Sequence, residues 1–236
     1  MDAIRVPTGD IDAGLMEEMY RLFALYYANV SFRHFSQDLR DKDFVILLRD
    51  GGALAGFTTA KLLNITFEGR ERLIVFSGDT IVAREHWGKQ ALAHAWIAEL
   101  GRIGGAHPGV PFYWFLIVKG HRTFRYMPTF VHNFVPRWAV QDDADLIRLR
   151  DAVATDMFPG AYDARTGLIR FAERRGNLAP AWAQPSERER ARADVAFFLQ
   201  RNPGFAEGDE LACLCEISEA NMRPLTRRLY LRGLNA

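Results

Sequence analysis

Between Asp12 and Asn29, apolar residues fall at Leu15, Met19, Leu22, Phe23 and Tyr26, a spacing of three and four that puts one stripe on a helix. The hydroxyl of Ser31 can cap a second, shorter helix, in which Phe32, Phe35 and Leu39 recur before an end near Arg40. The period then changes. Phe44–Leu48 is a short apolar run broken by Asp50-Gly51-Gly52, and Leu54–Leu63 resumes it, which predicts a β-hairpin. A turn at Glu68-Gly69-Arg70 leads into a third extended segment, Arg72–Val82.

From Glu85 to Leu100 the helical period returns, with Ala91, Leu92, Ala95, Trp96 and Leu100 on one face and Gly101 placed as a C-cap. Phe112–Val118 is apolar on both alternating faces, as a central strand covered by helices should be. Thr123–Phe134 has helical spacing through Phe124, Met127, Phe130, Val131 and Phe134, although Pro128 would begin or interrupt a helix there. Further on, Asp142–Ala154 reads as a helix, Asp194–Gln200 as a helix turn or strand, and Leu211–Ile217 as a strand preceded by turn signals at Asn202-Pro203-Gly204 and Gly208-Asp209.

Composition narrows the classes. The 30 basic and 29 acidic residues are interspersed and leave a net charge of +1, so no surface is built for nucleic acid. The densest charge, Ser186–Arg192, mixes both signs and reads as a solvated face. Cys213 and Cys215 are the only cysteines; in a strand they share a face, as buried small hydrophobes, and no metal motif is present. Neither a signal-peptide core nor a run approaching the ~20 apolar residues of a membrane span occurs, so a cytoplasmic protein is expected.

The transition Ser77-Gly78-Asp79-Thr80-Ile81-Val82-Ala83-Arg84-Glu85-His86-Trp87-Gly88-Lys89-Gln90-Ala91-Leu92 joins a strand to a helix through a glycine-bearing turn. A helix N-terminus offers unpaired N–H groups and a positive dipole end, and glycine lets the backbone come close to a phosphate. This stretch, with the order helix, helix, hairpin, strand, turn, helix, strand, helix over about residues 12–137, resembles the GNAT (Gcn5-related N-acetyltransferase) superfamily. Trp87, Gln90 and Leu92 stand where that family's loop has arginine or glutamine, glycine, and glycine or alanine, so this would be a divergent member. The resemblance implies an α/β (α+β) fold, with a central mixed, mostly antiparallel sheet flanked by helices. Residues 1–137 would form the acyltransferase core, and 138–236 a C-terminal extension packing on it. The implied donor is an acyl-CoA or the phosphopantetheine thioester of an acyl carrier protein, held by Gly88, Lys89 and the main-chain amides of Trp87, Gln90 and Ala91, with no metal.

Acyl transfer from a thioester to an amine needs a base, an oxyanion donor and an acid for the leaving thiolate. Asp79 follows a glycine in an apolar strand, where burial would raise its pKa toward that of a base. Its alternative is bracing the neighbouring turn. Lys119–Tyr126 crowds polar groups at the end of the central strand, where open sheets bind ligands. His121 could act as base, and Tyr126 falls where the family often carries a thiolate-protonating tyrosine. Arg122 or Arg125 could hold an acceptor carboxylate, and Ser77 would lie at the site. The other histidines share no metal or triad spacing, and Ser77 lacks the flanking glycines of a nucleophile elbow.

The aromatic wealth of Phe112–Phe134 fills a core or lines a fatty-acyl tunnel, and with the altered loop it is similar to N-acyl amino acid synthases. The expected function is transfer of an acyl group to a small-molecule amine by direct attack. A catalytically silent GNAT-like ligand- or protein-binding module is the alternative. The strand Leu211–Ile217 could cover the acceptor site or form a homodimer.

Overall fold

A computed structural model describes all 236 residues. In chain order the elements are β1 (Asp2–Pro7), α1 (Ala13–Ala24), β2 (Tyr27–Ala28), α2 (Phe32–Arg40), β3 (Phe44–Asp50), β4 (Ala53–Phe67), β5 (Arg70–Val82), α3 (Ala91–Ala106) and β6 (Phe112–Val118). Then follow α4 (His121–Phe124), α5 (Tyr126–Phe130), α6 (Ala144–Met157), β7 (Tyr162–Asp163), β8 (Leu168–Ile169), β9 (Asn177–Leu178), α7 (Pro180–Ala183), α8 (Glu187–Arg190), α9 (Ala193–Arg201), β10 (Glu210–Glu216) and α10 (Pro224–Leu234). Side chains start the first two helices: Asp12 accepts from the Leu15 amide at 2.8 Å and Ser31 from the His34 amide at 3.2 Å.

Eight strands form one sheet in the order β1-β3-β4-β5-β6-β10-β8-β7, and every pair is antiparallel except β5 with β6. The fold is thus mixed α+β with a mostly antiparallel sheet flanked by helices. On one face α3, α5, α9 and α10 cover Val75, Trp114, Leu116 and Cys213. On the other, α1 and α2 pack on Val45, Leu47 and Phe57, while α6 packs on Ile74, Phe115 and Leu214. Cys213 and Cys215 point to the same face, fully buried. β10 lies against the central strand, with Leu211 opposite Val118, so residues beyond 138 complete the sheet.

Three details differ from the pattern. β1 is an added edge strand whose mostly exposed residues give no apolar alternation to detect. Thr123–Phe134 is two short helices, and the second stops at Phe130. Gly101 does not cap α3 but lies inside it: a Cβ there would sit 2.1 Å from the Tyr230 carbonyl, and one on Gly233 would sit 1.8 Å from that of Ala98. These glycines let α3 and α10 touch through their backbones.

Two features open the site. β5 and β6 stay in register only from Leu73 with Phe112 to Ser77 with Leu116. Beyond that point Gly78–Val82 continues on β4 alone, and the strands part. At the fork, Gly78 and Asp79 together oppose the single residue Thr59, because Thr58 pairs with Thr80 and Ala60 with Ser77. Glycine keeps the bulge clear, since a Cβ on Gly78 would meet Thr59 Oγ1 at 2.5 Å and Lys42 Cε at 2.9 Å, and both side chains would have to shift.

Candidate active site

The fork opens into a cavity of about 380 Å³. Its walls are the end of β5 (Thr80–Val82), the loop and first turn of α3 (Trp87–Gln90, Leu92, Ala93), the start of α4 and α5, and a cover made by Tyr26, Tyr27, Leu178 and Trp182. The cover is tied down by the two-stranded pairing of β2 with β9, which sets Tyr27 opposite Leu178, and by the Ala179 amide on the Tyr26 carbonyl at 2.9 Å. A smaller recess continues inward between Ser77, Thr80, Trp96, Trp114 and Phe130.

The α3 wall is rich in unused donors. The amides of Gly88, Gln90, Ala91, Leu92 and Ala93 make no hydrogen bond within the protein, whereas those of Trp87 and Lys89 are taken by the carbonyls of Arg84 and His86. The Trp87 amide, expected as a donor, is therefore not available. Its indole instead donates to the Val82 carbonyl at 2.8 Å and meets Trp182 edge-on at 5.2 Å. Gly88 takes φ of +87°, a conformation that side chains disfavour, and thereby turns the chain into α3. Lys89 lines the cavity with its ammonium 3.3 Å from His86 Nδ1.

The opposite wall carries His121, Arg122, Arg125 and Tyr126. His121 is buried, with Nε2 3.3 Å from Glu189 Oε1 and Nδ1 without a partner. Burial, helped by the Arg122 charge, lowers its pKa and favours the neutral ring. Glu189 is held down to about 2 by the Ser186 amide and hydroxyl, with His121 and Arg122 adding to the effect. Arg122 donates to the Trp182 carbonyl at 2.8 Å and lies 5.3 Å above the Trp87 ring. Arg125 faces Asp194 at 3.6 Å. The Tyr126 hydroxyl makes no hydrogen bond within the protein, and burial raises its pKa, so it keeps its proton.

Behind the cover lies a group of charges on four neighbouring elements. Lys42 Nζ is 2.7 Å from Asp38 Oδ2, Lys119 Nζ is 3.3 Å from Glu210 Oε1 and 5.7 Å over the Tyr27 ring, and Asp79 sits at the bulge beside them. Half-buried Asp79 makes no side-chain hydrogen bond or ion pair. Burial, reinforced by Asp38 and opposed by Lys119 and Lys42, pushes its pKa up to about 7.

No family model matches the sequence, and no curated protein matches it. Among solved structures, the chain is similar to N-acetyltransferases. A conserved protein of unknown function from Enterococcus faecalis V583, described as a probable N-acyltransferase, is 15% identical with a TM-score of 0.40, over 56% of this chain and 34% of that one. A GCN5-related N-acetyltransferase from Kribbella flavida is likewise 15% identical at 0.40, over 56% of this chain and 35% of its own. An aminoglycoside acetyltransferase from an uncultured soil metagenomic sample, solved with sisomicin, is 13% identical at 0.39, over 61% of this chain and 91% of its own. The chain thus spans about a third of the length of the first two.

The residues singled out from sequence divide by location. Trp87, Gly88, Lys89, Gln90, His121, Arg122, Arg125 and Tyr126 line one cavity, and Ala91 adds a free amide at its edge. Asp79 stands outside that lining, near Tyr27, whose hydroxyl feels the charges of Asp79 and Glu210. Ser77 lies in the inner recess, where its Oγ accepts from the Trp114 indole at 2.7 Å. Sequence reading missed Tyr26, Tyr27, Trp182, Lys42 and Glu210, since two-residue strands and pairings between distant segments leave no periodic signal. The one available hint was Glu210 itself, a carboxylate at the head of an apolar strand.

Proposed function

We propose that the chain is an acyltransferase of the GNAT type, moving an acyl group from a CoA or carrier-protein thioester to the amine of a small acceptor. The observation that carries this is the fork between β5 and β6: one cavity joins the parted strand edge, five free amides at and just before the start of a 16-residue helix, and the His121 and Tyr126 side chains, with Asp79 outside the lining at the bulge. The amides and the positive end of α3 suit the phosphates of the donor. The edge of Gly78–Ile81, short of the Val82 carbonyl that Trp87 takes, suits its extended arm, which would pair with it as an added strand. Arg122 and Lys89 add positive charge to the lining.

In this reading the acceptor enters from the Asp79 side. Asp79, with its midpoint near neutrality, takes a proton as the amine attacks the thioester carbon. The tetrahedral intermediate collapses with cleavage of the carbon–sulfur bond, and Tyr126, protonated and free of other bonds, gives its proton to the departing thiolate. His121 serves as a neutral wall residue oriented by Glu189.

Calorimetric binding of CoA, acetyl-CoA, a long-chain acyl-CoA and an acylated carrier protein tests the donor assignment, with wild type and Gly88→Trp side by side. Thioester binding that the substitution abolishes supports the reading and identifies the donor class. Binding with no transfer to any amine would favour a silent module, and no binding at all would refute the donor site.

A further inference from the structure

The acyl-transfer reading uses one carboxylate of the charge group behind the cover and leaves four charged residues without a task. Asp38 lies on α2 and Lys42 just after it, Asp79 at the β5 bulge, Lys119 directly after β6, and Glu210 at the head of β10, next in register to Lys119. Both cations are committed to other partners. Lys42, with only 2% of its side chain exposed, holds the Asp38 carboxylate at 2.7 Å and the Asp38 carbonyl at 3.0 Å. Lys119 holds Glu210 at 3.3 Å and the Arg175 carbonyl at 3.4 Å. Asp79, beside both lysines, is the member left unbonded.

We propose that Asp38 and Glu210 are positioning residues for the acyl transfer described above: by retaining Lys42 and Lys119 they prevent either ammonium from closing an ion pair on Asp79, and so leave its carboxylate free to take the acceptor's proton. The inference rests on the acyltransferase reading. Its physical basis is that an ammonium in direct contact lowers a carboxyl pKa by about 1–3 units, which would make Asp79 too weak a base at neutral pH. Removing Glu210's charge acts twice in the same direction, because it deletes a repelling carboxylate and releases Lys119.

The groups facing Asp79 are Asp38 and Lys42 from α2 and its turn, Tyr27 from β2, Lys119 from the end of β6, and Glu210 from β10; Tyr126 faces Tyr27, and Arg175 acts on Glu210. Burial raises the Glu210 carboxyl while Lys119 opposes that shift. Burial likewise keeps the Tyr27 and Tyr126 hydroxyls protonated, so neither adds a competing charge near neutrality.

The test is carbon-detected NMR titration of the aspartate carboxyls in the full chain, with the Asp79 signal assigned by its loss in Asp79→Asn. Wild type, Glu210→Gln, Asp38→Asn and Glu210→Asp are compared, and the acid limb of kcat/KM against pH is followed in parallel. The expected result is an Asp79 midpoint near neutrality in wild type that falls by about 1–3 pH units in Glu210→Gln and in Asp38→Asn. Glu210→Asp, which keeps the charge, should restore most of the shift, and the acid limb should move with the midpoint. Asp38 has 48% of its side chain exposed and Lys42 keeps its bond to the Asp38 carbonyl, so Asp38→Asn is the milder variant and tests the proposal should the buried Glu210→Gln not fold. An unchanged midpoint in folded variants, or an ordinary carboxylate midpoint in wild type, overturns the proposal. Absence of turnover in wild type with the midpoint shifts intact would retire the acyltransferase reading and leave the hold of Asp38 and Glu210 on Asp79 supported.

Discussion

Replacing Asp79 by asparagine should sharply lower the protein's activity and, at alkaline pH, make it more stable. Its carboxyl titrates near 7 instead of the ordinary 3.8, chiefly because burial penalises the charged form. Between those two values the folded chain keeps a proton on Asp79 that the unfolded chain has released, so stability falls as pH rises through this window. At about 1.4 kcal/mol per pH unit, the whole displacement is worth about 4 kcal/mol. Solvent reaching the half-buried carboxyl reduces this to roughly 2–4 kcal/mol. Asparagine removes the titration. Urea denaturation of both proteins at pH 4 and pH 8 should therefore show the Asp79→Asn variant gaining roughly 2–4 kcal/mol relative to wild type across that interval. Its kcat should fall by about 10²–10⁴, the usual contribution of a positioned base. Parallel stability profiles for the two proteins would refute the raised midpoint, and retention of kcat in the variant would refute the base.

Ser77→Ala should leave kcat close to wild type while lowering stability by about 1–3 kcal/mol in denaturant melts, because the buried Trp114 indole N–H loses its acceptor; a large loss of kcat would instead return Ser77 to the substrate. Gly101→Val should destabilise by about 3 kcal/mol or more by calorimetry, since its Cβ would fall 2.1 Å from the Tyr230 carbonyl and force α3 from α10; a neutral change would show that the helices can separate freely.

The sequence by itself determined the elements whose signals are local. The apolar stripes of α1 and α2 with their Asp12 and Ser31 caps, the β3–β4 hairpin, the doubly apolar β6 and the glycine turn into α3 all depend on residues within a few positions of one another. The donor side of the candidate site follows from the same local logic, because a helix start and the loop before it are contiguous in the chain.

Tertiary structure decided the rest, for a physical reason. Gly101 looks like a helix stop until α10 is seen to press its backbone there, and nothing near Ser77 in the chain shows that its hydroxyl accepts from Trp114, 37 residues away. The cover over the cleft depends on β2 meeting β9 across some 150 residues, and the proposed freedom of Asp79 depends on Lys42 and Lys119 finding Asp38 and Glu210. Hydrophobic period records which face a residue turns to the core. Which distant charge it meets there is set by strand order and register, and these emerge only when the sheet is assembled.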